Sequence, residues 1–385
     1  MKLKPKITIA DHFLGIEDPR IERTKRHKLI DILTIAICAV ICGAEGWIEI
    51  EMYGCAKHGW LKTFLELPNG IPSPDGDATR THDTFARVFA RIKPEQFQQC
   101  FVNWMKSIQK IIEKDIVAID GKTLRGSYDK GSDKAAIHMV NAWAVHNRLV
   151  LGQVKTNAKS NEITAIPELL KVLEISGCIV TIDAIGCQKE IVKEIVRQDA
   201  DYVITLKENQ GHLHSYVESL FKIGIQTGFQ GLDEGRYTTE EKGHGRKEIR
   251  HYVMISSEKA QLNFNTDWVK LNSVGMVEHI RQEKGETTVE IRYFISSLPN
   301  NIEKFAKAVR GHWGVENSLH WVLDVALKED ECRIRKDNAP ENFAVLRQIA
   351  VNLLGKEKRM KVGIKNKGFL AAMDNEYLVR VLAQL

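Results

Sequence analysis

Two short segments of the chain carry the same pattern. IVAID ends at Asp120 and IVTID at Asp183, each an apolar, largely β-branched run closed by an aspartate. Such runs read as buried strands. Between and after them lie the strand-like His138–His146 and Leu149–Thr156, joined by Asn147-Arg148 as a tight hairpin. The helical 162–175 and Gln188–Gln198 and the strand Asp201–Leu206 complete the unit. Strands alternating with helices indicate an α/β sheet. Ligands of open α/β sheets collect beyond the carboxyl ends of the strands. If the two strands are parallel neighbours, Asp120 and Asp183 converge there. Paired carboxylates repel, and a hard divalent cation such as Mg²⁺ or Mn²⁺ relieves that repulsion. Taken singly, each aspartate could equally be a plain strand end.

A third acid comes from the helix starting at Ile302. Placed at 100° per residue, Ile302, Phe305, Val309, Trp313, Leu319 and Leu323 all fall within about 60° of Glu316. A straight helix would therefore hold Glu316 at the centre of its buried stripe, where a lone carboxylate is costly. A metal shared with the two aspartates would satisfy it; so would an ion pair with Arg310 or Lys304. Gly311 and Gly314 could kink the helix and change this phase. His312 and His320 flank Glu316 by four residues on either side. They could form a zinc site with it, but three ligands over two turns converge poorly and no H-E-x-x-H motif is present. Contacts around the acids, or to DNA phosphates, are the preferred reading for both.

The flanking regions differ in texture. Residues 1–110 read as a small all-helical unit: a basic N-terminus with eight Lys/Arg against four Asp/Glu over residues 1–30, then helical spacing from Lys28 to Gly43, Trp47 to Leu65, Thr81 to Arg91 and Pro94 to Glu113. Residues 207–300 read as a β-rich insertion, with strands over Glu248–Ile255, Trp268–Ile280 and Thr287–Leu298. The chain is helical again from Ile302. The longest apolar run, Leu33 to Ala44, is twelve residues, too few to span a bilayer, so no membrane association is expected. The net charge of +5 is weak support for a nucleic-acid partner. The seven cysteines include no C-x-x-C pair, which excludes a zinc ribbon. Their odd number, with no apolar core behind the N-terminal lysines, points to a reducing cytoplasm.

AIDGKTLRGS, HMVNAWA, SNEITAIPELL, TIDAIGCQKEI, LKENQ, GHGRKEIR, RGHWGVENSLHWVLDV and RIRKDNAPENFA together make nearly the whole chain resemble the DDE transposases of bacterial insertion sequences, in particular the H-repeat-associated group. The resemblance implies a ribonuclease H-like catalytic core over 111–206 and 301–385, interrupted by the β-rich 207–300. Residues 1–110 would form a helical transposase-associated domain that binds DNA ends. It implies that Asp120, Asp183 and Glu316 are the catalytic residues and the ligands of two Mg²⁺ or Mn²⁺ ions. The activity implied is phosphodiester cleavage at element ends and strand transfer into target DNA, by a homodimer on double-stranded DNA, in the cytoplasm and associated with the nucleoid. Related families carry a Tyr, an Arg and a Lys around the third acid where this chain has Val309, His312 and Leu323. Candidate DNA contacts are Lys122, Arg125, Arg246, Lys247, His312, His320, Arg333, Arg335 and Lys336, of which Lys122 and Arg125, next to Asp120, rank first. Two alternatives remain open: a DNA-binding relic no longer able to transpose, and a metal-dependent nuclease of the same fold.

Overall fold

The computed structural model describes residues 8–72, 83–107, 114–128, 134–156, 161–243, 245–258 and 267–384. The N-terminal region is helical: α1 (Thr8–His12), α2 (Leu29–Ile41), α3 (Trp47–Ala56), α4 (His58–Leu61), α5 (Asp83–Arg91) and α6 (Pro94–Ser107). The apolar run around residue 35 is a buried helix: residues 31–41 of α2 are all buried. The helical spacing expected at 81–82 and 108–113 lies outside the described residues.

The middle of the chain builds β1 (Ile116–Leu124), β2 (Ile137–Ala144), β3 (Leu149–Lys155), α7 (Glu162–Val172), β4 (Ile179–Ile182), α8 (Lys189–Arg197) and β5 (Asp201–Leu206). Next come α9 (Gly211–Thr227) and four long strands, β6 (Glu234–Gly243), β7 (Arg246–Ser256), β8 (Ser273–Glu283) and β9 (Glu286–Ser296). All nine strands join one sheet in the order β3-β2-β1-β4-β5-β9-β8-β7-β6. β1, β4 and β5 run parallel to one another, and β9 pairs antiparallel with β5. The protein is thus a mixed α/β structure with a large mixed sheet and an N-terminal helical region.

Three elements depart from the sequence expectation. β1 continues past Asp120 to Leu124, because β2 keeps pairing with it after the short β4 has ended. The segment from residue 207 opens with a 17-residue helix, α9, which buries Leu213, Val217, Phe221 and Gly224 and ends on Gly228 at a left-handed φ of 65°. β6 is a strand where the sequence shows no apolar alternation, because its residues are mostly exposed.

The C-terminal part contains α10 (Ile302–Gly314), a π-helical turn over Val315–His320, α11 (Trp321–Val325), α12 (Ala339–Lys356), α13 (Ile364–Met373) and α14 (Asn375–Leu382). α12 is buried over nearly its whole length and packs against α2, α5, α6 and β3. Its internal polar groups join the layers. Asn342 donates to the carbonyls of Phe89 at 2.7 Å and Ile92 at 3.0 Å. Asn352 accepts from the Val150 amide at 2.8 Å and donates to its carbonyl at 2.9 Å. Buried polar groups matched in this way hold one register rather than several.

α10 lies across β1, β4, β5, β6 and β7, with Phe305 fully buried against the sheet. Gly275 on β8 permits this closeness: a Cβ there would stand 2.2 Å from the Phe305 ring. Gly275→Ala should therefore destabilise the fold by about 1–3 kcal/mol through overpacking. Urea unfolding measures it, and an unchanged midpoint would count against this packing of α10.

Candidate active site

The parallel pairs between β1 and β4 end at Ile119↔Ile182, so Asp120 and Asp183 occupy the next position on adjacent strands. Asp183 caps a single 3-10 turn, accepting from the amides of Ile185 at 3.1 Å and Gly186 at 3.4 Å. Asp120 accepts from the Gly121 amide at 2.9 Å. Burial raises the Asp120 carboxyl to about 7, with further contributions from the charges of Asp183, Glu316 and Glu162, while the Gly121 hydrogen bond opposes the rise.

Glu316 corrects the sequence reading. It is exposed, not at the centre of a buried stripe. The π-helical turn, with i→i+5 hydrogen bonding, shifts the phase of the helix just where Gly311 and Gly314 loosen it. Val315 and Leu319 take the buried places, and Glu316 turns outward, its charge still reaching Asp120. Its candidate ion-pair partner Arg310 binds Glu241 instead, at 3.0 Å. Just ahead of the turn, Trp313 lies between the guanidinium groups of Arg250 (β7) at 5.2 Å and Arg292 (β9) at 4.8 Å. These cation–π contacts tie the end of α10 to the added strands.

His312 and His320 sit inside the site. Nδ1 of His312 is 3.2 Å from the Thr181 hydroxyl, and Nδ1 of His320 is 3.7 Å from Asp120 Oδ2. Burial pushes both imidazoles down to about 4, so both are neutral at pH 7. As neutral groups they offer no positive charge to a phosphate, and among the described residues no three potential metal ligands converge. Nε2 of His320 is buried without a hydrogen-bond partner among the described residues.

Lys122 is the second correction. Its side chain is 8% exposed, and its ammonium contacts Asp324 at 2.7 Å, Asp330 at 3.0 Å and Glu329 at 3.1 Å. Burial alone would lower its pKa, but these three carboxylates raise it. A cation so enclosed has no face left for a phosphate. It joins β1 to the chain just after α11.

Arg125 differs from Lys122, with 80% of its side chain exposed and one contact to Asp330 at 3.3 Å. Arg335 donates to the Gly126 carbonyl at 3.2 Å and covers the Tyr128 ring at 4.8 Å. Arg333 and Lys336 are exposed on the same segment. Arg335 thus brings its segment against Gly126, the neighbour of Arg125. Arg246 and Lys247 lie elsewhere, at the turn of the β6–β7 hairpin, paired with Glu248 at 2.8 Å and Glu240 at 3.1 Å.

Among the described residues, no three His, Cys, Asp or Glu side chains converge to metal-binding distance. The donors are hard carboxylate oxygens of the kind a divalent cation takes, and the charges of Asp183, Glu316 and Glu162 reach the buried Asp120 carboxyl. Glu162 joins the acids without having been singled out from sequence. An acidic residue in the first turn of a helix is ordinary capping, and nothing in the spacing marks it as near Asp120.

Two outcomes follow from these charges. Asp120 holds its proton in the folded state up to about pH 7, against an ordinary aspartate value of 3.8. Its ionisation therefore costs nothing below pH 3.8, an increasing amount as pH rises, and a constant amount above 7. Without divalent ions, Asp120→Asn should be more stable than the parent by on the order of 2–4 kcal/mol at pH 8, and equal to it at pH 3.5. Urea unfolding at both pH values decides this; an equal gap at the two would refute it. Lys122→Met leaves three acids facing one another, and should cost about 2 kcal/mol or more in the same assay. A loss under about 0.5 kcal/mol would show the cluster to be energetically idle.

Residues 112–353 match the family described as "Transposase DDE domain", and residues 10–105 match the family described as "DDE_Tnp_1-associated". The chain is 44% identical over 379 residues to the Escherichia coli K12 protein named "H repeat-associated putative transposase YhhI", covering 97% of each. It is 42% identical over 379 residues to "Putative transposase YncI" of Escherichia coli O157:H7, covering 98% of this chain and 94% of that one. A piggyBac transposase in a synaptic complex with hairpin DNA has a TM-score of 0.40 to it at 11% identity, over 98% of this chain and 77% of that one, too slight a likeness to define the fold. With matches of this extent and identity, the chain belongs to the DDE transposase family, in its H repeat-associated group.

Proposed function

We propose that this protein is a metal-dependent transposase in which Asp120, Asp183 and Glu316 are the oxygen ligands of two Mg²⁺ or Mn²⁺ ions. It cleaves phosphodiester bonds at the ends of a DNA element and joins the freed ends to target DNA. One observation carries this reading: Asp120 and Asp183 follow the last parallel pair of two adjacent strands, and burial, with the charges of Asp183 and Glu316, raises the Asp120 carboxyl. When bound, the divalent ions would supply an activated water and charge stabilisation at the leaving 3′ oxygen. Neutral His312 and His320 support β4 and Asp120 from the helix side without competing for phosphate. Arg125, Arg333 and Lys336 are exposed and would hold the DNA backbone, and Arg335 orders the 333–336 segment. Arg246 and Lys247 would meet DNA farther along the β6–β7 hairpin. Such contacts give most of the affinity and make it salt-dependent.

The catalytic unit of this reading is ribonuclease H-like and comprises 111–206 and 301–385. The order β3-β2-β1-β4-β5 and the packing of α7 and α10 on β2 and β1 support it. Residues 207–300 are its insertion, and 1–110 bind the element ends. Two ends cut together imply a homodimer on DNA. None of the helices, searched over the described residues, is long and apolar enough to cross a membrane. That accords with a cytoplasmic, nucleoid-associated enzyme.

The test is Mg²⁺-dependent nicking and joining of oligonucleotides carrying the inverted repeats that bound the gene. Asp120→Ala, Asp183→Ala and Glu316→Gln should each lower both activities on the order of 10³-fold or more while the protein stays folded. Activity retained in all three would overturn the mechanism. Cleavage without joining by the parent protein would identify a nuclease instead.

A further inference from the structure

Three of the stretches that carry the family resemblance meet at a point the proposed chemistry does not use. Gly121 and Thr123 come from AIDGKTLRGS on β1, His138 from HMVNAWA on β2, and Glu162 from SNEITAIPELL at the first turn of α7. His138 lies opposite Thr123 in the β1–β2 ladder. Its Nδ1 is 2.9 Å from the Thr123 hydroxyl, and its Nε2 is 2.6 Å from Glu162 Oε1. A carboxylate can only accept, so Nε2 carries the hydrogen of that bond. Both partners are largely enclosed, His138 with 32% and Glu162 with 15% of the side chain exposed.

The pair presses against the residue that follows Asp120. A Cβ at position 121 would stand 2.0 Å from Glu162 Oε1 and 2.5 Å from His138 Nε2. Only glycine lets a carboxylate come so close to the strand there. The same contact brings the Glu162 charge near enough to Asp120 to act on it. A partly buried, rigidly oriented negative charge beside a metal-binding cluster strengthens cation binding without itself being a ligand.

We infer that Glu162, oriented by His138 and admitted by Gly121, is a fourth acid of the site, a positioning residue whose charge strengthens divalent-cation binding at Asp120. The inference rests on the reading of Asp120, Asp183 and Glu316 as the cation ligands.

Mn²⁺ binding to the full chain, followed by the loss of the free-ion paramagnetic resonance signal, tests it without any DNA. Glu162→Gln keeps the shape and removes the charge, and Glu162→Ala removes both. Both should weaken Mn²⁺ binding about three- to tenfold at unchanged fold. A merely structural role would leave Glu162→Gln like the parent and penalise only Glu162→Ala. If Glu162→Gln fails to fold, His138→Gln, which frees the carboxylate from its anchor, carries the same expectation of weakening. Glu162→Gln within twofold of the parent, with Asp120→Asn abolishing binding, overturns the role of Glu162 and leaves the three-acid site standing. Asp120→Asn and Asp183→Asn binding as the parent does, or no binding by the parent, overturns the three-acid site and this inference with it.

Discussion

The parallel pairing of β1 with β4 sets two carboxylates side by side at the ends of the same ladder. Unrelieved, that proximity works against the folded state, because each charge disfavours the other. The fold holds it by spreading the strain over well-fixed elements. Asp183 is anchored by two backbone amides of its own turn, and Asp120 by the amide of Gly121. Around them the sheet is closed by α10 on one side and by α7 on the other. A fold that maintains such repulsion does so at a cost to its stability.

The helix carrying Glu316 shows how the third acid is brought to that place. A straight continuation of α10 would have turned Glu316 into the core. The π-helical turn puts Val315 and Leu319 inward instead and releases the carboxylate outward. π-turns are poor in stability and common where function requires a side chain out of phase. The cost is met by the packing around it: Phe305 under Gly275, Trp313 between Arg250 and Arg292, and the Arg310–Glu241 pair. The added strands β6–β9 thus do more than lengthen the sheet. They form the surface against which the end of α10 is held.

Charge is distributed with the same economy on the other side of Asp120. Lys122 and Arg125 are three residues apart and look alike in sequence, yet one is enclosed by three acids and the other is 80% exposed. The strand direction decides this: residue 122 points the same way as residue 120, into the layer beneath the C-terminal segment, whereas Arg125 lies past the end of β1. Lys122 holds α11 and the residues just after it close to β1.

Much of the layout was legible in the residues themselves. The repeated apolar run with a terminal aspartate marks both strands, because a buried parallel strand needs β-branched side chains on both faces. The apolar run near residue 35 and the helical periodicity of the N-terminal region are equally local, and the motifs establish the family. What local pattern could not convey is anything that depends on phase or on partners distant in sequence. Glu316 was assigned to the core because a helical wheel assumes 100° per residue, and the π-turn breaks that assumption. Lys122 looks available to a phosphate in the sequence because its three acids come from residues 324–330, some two hundred positions away. Glu162 carried no signal, since its significance lies in a glycine on another strand that leaves it room. The sequence by itself determined which segments become strands and helices and which residue types are available to bind a cation. Only the tertiary structure decided which charges are free and which are already neutralised, because that depends on distances between elements that no spacing along the chain records.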